Sequence, residues 1–86
     1  MERITQKSGG EYTAADPAQA LKRLGRLEDM YEALCAELAH TISQMDMLSA
    51  EGKGKAATYR QLFANKLQLQ AMLSYYRAYG LIENEE

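Results

Sequence analysis

Residues 20–49 read ALKRLGRLEDMYEALCAELAHTISQMDMLS, and their apolar positions recur at Leu21, Leu24, Leu27, Tyr31, Leu34, Leu38, Ile42, Met45 and Leu48. Steps of three and four bring such positions onto one stripe of a helix, whereas a half-buried strand would alternate. The stretch is therefore a long amphipathic helix, and its seam needs a second element to cover it. Just upstream, Asp16-Pro17 supplies an N-cap oxygen followed by a residue whose missing N–H costs nothing in the first helical turn, so the helix begins at Pro17. Gly25 is its weak point. A helical glycine costs about 1 kcal/mol relative to alanine, so it marks either a bend or a close crossing by another helix.

The periodic stretch ends near Ala50, before Gly52-Lys53-Gly54-Lys55, and a second helix is expected from about Ala56 to Tyr79. Gly80 and Leu81 fit a Schellman-type stop, in which the residue after the glycine packs back on Tyr76. Two helices joined by a short loop form an antiparallel hairpin. On the second helix Met72, Tyr76, Leu69, Leu62, Leu73, Tyr59, Phe63 and Leu67 cover roughly 220° of arc, about twice what one neighbour requires. Lys66, Gln70 and Arg77 lie within that arc. Either they form a wetted strip between two packing seams, or they line a polar pocket between chains.

The expected organisation is a flexible N-terminal arm over residues 1–15, a helical hairpin domain over 16–82 and an acidic tail over 83–86. No strand pattern is read in it. The class is all-α, and the hairpin is expected to assemble into a helical-bundle oligomer. The argument for assembly is size. A chain of 86 residues buries a modest share of its surface, and its single cysteine, Cys35, rules out an intrachain disulfide. The single histidine, His40, with no Cys/His pair at ligand spacing, argues against a metal, and no other cofactor is implied.

Ten basic and twelve acidic residues leave a net charge of -2, too mild for an obligate DNA binder. The N-terminal residues have no apolar core of signal-peptide length and no run approaches the ~20 apolar residues of a membrane span, so a cytoplasmic protein without a membrane partner is expected. Enzyme chemistry finds little to work with. His40 would have to serve alone as a base, on the side of the helix away from the seam, and Cys35 falls with Tyr31, Leu38 and Ile42 as a small core residue. The second helix holds no Asp or Glu, so no carboxylate pair can face across a cleft within one chain.

What remains is binding. The glycine-lysine loop is not a Walker motif, because both the spacing and the preceding strand are missing. It does join glycines, a helix start and Lys53, Lys55 and Arg60, which suits an anion. Lys53, Lys55, Tyr59 and Arg60 are the candidate anion or nucleotide ligands, with Lys66 and Arg77 in second place. Arg23, Arg26 and the loop lysines would contact phosphates if the partner were nucleic acid, which is not the favoured partner. Six tyrosines, three of them in SYYRAY, are the other excess. Tyrosine serves interfaces and ligand bases as well as helix-end packing.

The opening MERIT, its polar arm and ALKRLGRLED resemble the starts of short phage and prophage proteins of Gram-positive bacteria that carry no assigned function. KAATYRQLFANKLQLQAMLSYYRAYGL is similar to the C-terminal segments of such proteins. The resemblance implies an origin, and with it a host cytoplasm, rather than an activity. In architecture alone an oligomeric helical hairpin with basic ends resembles phage sponge proteins that sequester cyclic-nucleotide immune signals. The expectation is a non-enzymatic anti-defence inhibitor that binds a host defence protein or a nucleotide second messenger stoichiometrically. A nucleic-acid-associated phage regulator and a structural or adaptor subunit are the alternatives.

Overall fold

The computed structural model describes residues 1–83, in the order β1 (Thr5–Ser8), β2 (Glu11–Ala14), α1 (Pro17–Ala50) and α2 (Ala57–Ala78). The chain divides into two compact units, Met1–Met30 and Tyr31 onward. Apart from the exposed Glu83, the tail expected over 83–86 lies outside the described residues.

In the first unit the expected flexible arm is instead an antiparallel β-ribbon, which corrects the all-α expectation. Its register is Thr5 with Ala14, Gln6 with Thr13, Lys7 with Tyr12 and Ser8 with Glu11. The cause is Gly9-Gly10. Both adopt positive φ, 57° and 87°, which is what a two-residue type I′ hairpin turn requires. A two-stranded ribbon is marginal alone and needs support. Tyr12 stands opposite Lys7, with the Arg3 and Lys7 cations 6.0 and 5.9 Å from its ring centre. Arg23 Nη1 donates to the Glu2 carbonyl at 2.9 Å, tying the ribbon's leading residues to α1. Met1, Ile4, Ala20, Leu24 and Leu27 line an open groove between the two.

The start of α1 follows expectation. The Gln19 amide donates to Asp16 Oδ1 at 3.2 Å and Ala20 N–H donates to the Asp16 carbonyl at 3.1 Å. The apolar seam does not stay buried here, since Leu21 and Leu24 are 69% and 51% exposed. Beyond the helix's own adjoining backbone no heavy atom lies within 4 Å of where a Cβ on Gly25 would sit, so the close-crossing reading of this glycine is not met among the described residues.

In the second unit α1 from Tyr31 onward and α2 pack as an antiparallel hairpin. At one end the Tyr31 and Tyr76 rings meet with centroids 5.6 Å apart. At the other end Leu48 borders a groove with Thr58 and Leu62. Leu34, Met45, Leu69, Leu73 and Tyr76 form the core, with buried Thr41 donating its hydroxyl to the Glu37 carbonyl at 2.9 Å. No described side chain is completely sequestered from solvent.

Both helices end in the same device. Gly52 and Gly80 take φ of 75° and 71°, which a residue bearing a Cβ adopts at a cost. Lys53 N–H donates to Leu48 and Gly52 N–H to Ser49, and Leu81 N–H donates to Tyr76 and Gly80 N–H to Arg77, all at 2.8–3.1 Å. These are the paired bonds of a Schellman stop. The backbone of the second stop is as expected, whereas the Leu81 side chain remains 52% exposed.

Candidate functional site

The loop between the helices is mostly spoken for. Gly52 closes α1, Lys53 uses its amide on Leu48 and its carbonyl on Ala56 N–H, and its ammonium lies 3.6 Å from the Glu51 carboxylate. The α2 start differs from that of α1. Ala56 stands at the N-cap with extended backbone and no side-chain capping bond, so the amides of Ala57, Thr58 and Tyr59 carry no partner among the described residues. Lys55 and Arg60 are exposed beside this end and Tyr59 is half-buried.

The six anion candidates do not form one cluster. Lys53, Lys55, Tyr59 and Arg60 gather at the loop end. Along α2 the half-buried Lys66 is about 9 Å beyond Arg60 and the exposed Arg77 about 26 Å beyond it, at 1.5 Å per residue. The groove at this end is lined by Gln44, Met47, Leu48, Glu51, Thr58 and Leu62, with no lysine or arginine among them. In the first unit, Lys22, Arg23 and Arg26 line a shallow groove with Ile4 and Gln19. Arg23 is already bound to the Glu2 carbonyl.

The hairpin of the second unit has two unlike faces. On one, Glu37, Asn65, Gln68 and Met72 border a groove over Leu34 and Leu69, and Gln44 and Met47 border its neighbour toward the loop. Tyr75 and Tyr79 continue this side along α2, one turn apart and 68% and 79% exposed. Tyrosine packing at the helix end therefore applies to Tyr76, 8% exposed, and not to its two neighbours. Asn65 and Gln68 carried no sequence signal. Only the helical register, once Leu69 and Leu73 are fixed as core, assigns them to this groove.

The opposite face is apolar at its centre. Leu38, Ile42 and Cys35 on α1 and Tyr59 on α2 are half-buried, while Phe63 and Leu67 are 45% and 50% exposed. This splits the wide arc of α2: the Leu62, Leu69, Leu73 and Tyr76 side covers α1, and the Phe63 and Leu67 side has no cover within the hairpin.

Among the described residues no group of three His, Cys, Asp or Glu side chains could hold a metal ion, and no helix is long and apolar enough to cross a membrane. No protein family, curated protein or solved structure matches the chain.

Proposed function

We propose that the chain is a non-enzymatic binding protein that docks on another protein through the grooved face of its helical hairpin, with Tyr75 and Tyr79 as anchors. The observation that carries this reading is the placement of two tyrosines a turn apart, more than two-thirds exposed, on a helix whose end is held by a Schellman stop. Tyrosine gives large contact area with only two side-chain torsions to immobilise, and it is enriched where binding energy concentrates. Met47 and Met72 and the amides of Gln44, Asn65 and Gln68 add adaptable packing and hydrogen bonding beside them. The partner in this reading is a bacterial defence protein, inhibited by stoichiometric occlusion in the host cytoplasm; the phage-type resemblance, which implies an origin rather than an activity, is what makes that class of partner our choice.

The test replaces Tyr75 with a photo-crosslinking amino acid and expresses the chain in cells carrying a defence system that it blocks. One defence component should crosslink from position 75, and Tyr75→Ala with Tyr79→Ala should abolish protection while leaving helicity intact. Full protection by the double alanine variant would remove the reading.

Sequestration of a nucleotide signal is the second reading, favoured by the three unbonded amides at the α2 start and by Lys55 and Arg60 beside them. Calorimetry with a panel of cyclic nucleotides separates it from protein occlusion. Heat that disappears in Lys55→Ala with Arg60→Ala supports sequestration, and its absence across the panel removes it.

A further inference from the structure

We infer that the apolar face around Phe63 is covered by a second copy of this chain, related by a two-fold axis parallel to the hairpin's helices, so that α1 of each copy lies on α2 of its partner. This goes beyond the proposed function, because it uses the face that the tyrosine anchors leave open. Two features of the second unit carry the inference.

The first is the makeup of the face. Its centre is Leu38, Ile42, Tyr59 and Phe63, with Leu67 on the flank and Lys66, Gln70 and Arg77 at nearby bearings on α2, while the grooved face opposite mixes Glu37, Gln44, Asn65 and Gln68 with Met47 and Met72. Helical register orders the apolar face from edge to edge. Glu32 and Asp46 form the α1 edge, and Arg60 and Leu67 form the α2 edge, with Arg77 nearer the middle. Glu32, Asp46, Arg60 and Arg77 are all exposed, and none makes an ion pair within the chain among the described residues.

The second is level along the axis, which selects the symmetry. The Tyr31–Tyr76 contact puts Glu32 level with Arg77, and the groove shared by Leu48 and Thr58 puts Asp46 within a turn of Arg60. Two hairpins can meet face to face about a dyad that runs along the helices or one that runs across them. Across the helices, α1 would meet α1 and the acidic edges would face each other, as would the basic ones. Along the helices, Glu32 and Asp46 of one copy come beside Arg77 and Arg60 of the partner copy. Like charges placed in register penalise the first arrangement, and opposite charges favour the second. A two-fold contact of this kind uses the same face on both copies, so it closes at two and does not propagate through that face. Lys66 and Gln70 run against the apolar makeup of the face, and Lys66 the more so, because the dyad brings both copies of it to the same level near the axis.

Sedimentation equilibrium of the full chain over a hundredfold concentration range tests this. The expected species is a dimer, with no trimer or larger assembly. Phe63→Glu should give a monomer whose helicity by circular dichroism is unchanged, since Phe63 lies outside the hairpin's own core. Glu32→Arg and Arg77→Glu should each weaken dimerisation about tenfold or more at low salt, and the double exchange should restore most of the loss. Lys66→Met should tighten the dimer. A monomer at every concentration overturns the proposal, as does a dimer indifferent to Phe63→Glu. If Glu32→Arg strengthens association, or the double exchange compounds the two losses, the dyad is refuted. Binding of the partner through Tyr75 and Tyr79 is read separately by crosslinking, so either idea can fail alone.

Discussion

The missing cap of α2 gives a measurable deficit. Ala56 holds φ of -67° and ψ of 153°, the extended geometry of an N-cap residue, yet its methyl group can accept nothing. Replacing an alanine cap with serine satisfies one orphan amide and adds about 1 kcal/mol, within a range of about 0.5–2. Aspartate makes the same bond and places a negative charge at the positive end of the helix, for about 0.3–1 kcal/mol more. In a chain of this size 1 kcal/mol moves the thermal midpoint by about 4–8 °C. Ala56→Ser should therefore raise it by roughly 5 °C, and Ala56→Asp by a few degrees beyond that.

Salt separates the two contributions. The Debye length falls to about 3 Å at 1 M, so the extra gain from aspartate should fade there while the gain from the hydrogen bond persists. Scanning calorimetry at one fixed protein concentration is the assay, because any self-association makes the midpoint depend on concentration. If neither variant moves the midpoint at low salt, α2 does not begin at Ala57. If aspartate keeps its advantage over serine at 1 M salt, the charge argument fails.

Gly25→Ala should stabilise by about 0.5–1 kcal/mol, because the position is helical and an added Cβ meets nothing within 4 Å beyond the helix's own adjoining backbone; urea unfolding reads the shift. Gly52→Ala should destabilise by about 1 kcal/mol or more, since its φ of 75° is unfavourable for an L side chain, and loss of helicity near the loop by hydrogen exchange would locate the damage. Leu73→Ala, at the most buried core position with 3% exposure, should cost about 2–5 kcal/mol and leave a largely unfolded chain by circular dichroism. Replacing Gly9 and Gly10 with alanines should unmake the β-ribbon while leaving the hairpin of the second unit intact, visible as loss of the cross-strand contacts between Lys7 and Tyr12 in NMR spectra.

The helices were legible because their signals are long or local. Asp16-Pro17 and the three-four spacing set α1 at Pro17–Ala50, and α2 was placed to within a residue at each end. The ribbon was not legible from periodicity, since its strands are four residues each and exposed on both faces except at Thr5 and Ala14. The signal that was present is chemical. Gly9-Gly10 between segments carrying Thr5, Tyr12 and Thr13 is a hairpin turn, and reading it as flexibility missed that both glycines serve one turn type. Exposure of Leu21 and Leu24 was hidden for a different reason: a stripe states which residues share a side, not whether anything covers them.

The same limit governs the candidate site. Composition identified an excess of tyrosine and an overly wide apolar arc on α2, but only the hairpin's register separates the two. It turns Tyr76 inward, sends Tyr75 and Tyr79 to the grooved side, and leaves Phe63 and Leu67 on the other. Among the described residues a core of five apolar side chains, none fully sequestered, is small for holding two helices together, so cover on the Phe63 face would strengthen the fold itself. If a second copy supplies that cover, the grooved faces point away from each other and each dimer carries two Tyr75–Tyr79 patches. A partner that presents two matching sites would then be held by both patches at once, with an effective concentration set by their fixed spacing. The face that stabilises the chain would thereby set how tightly it holds its partner.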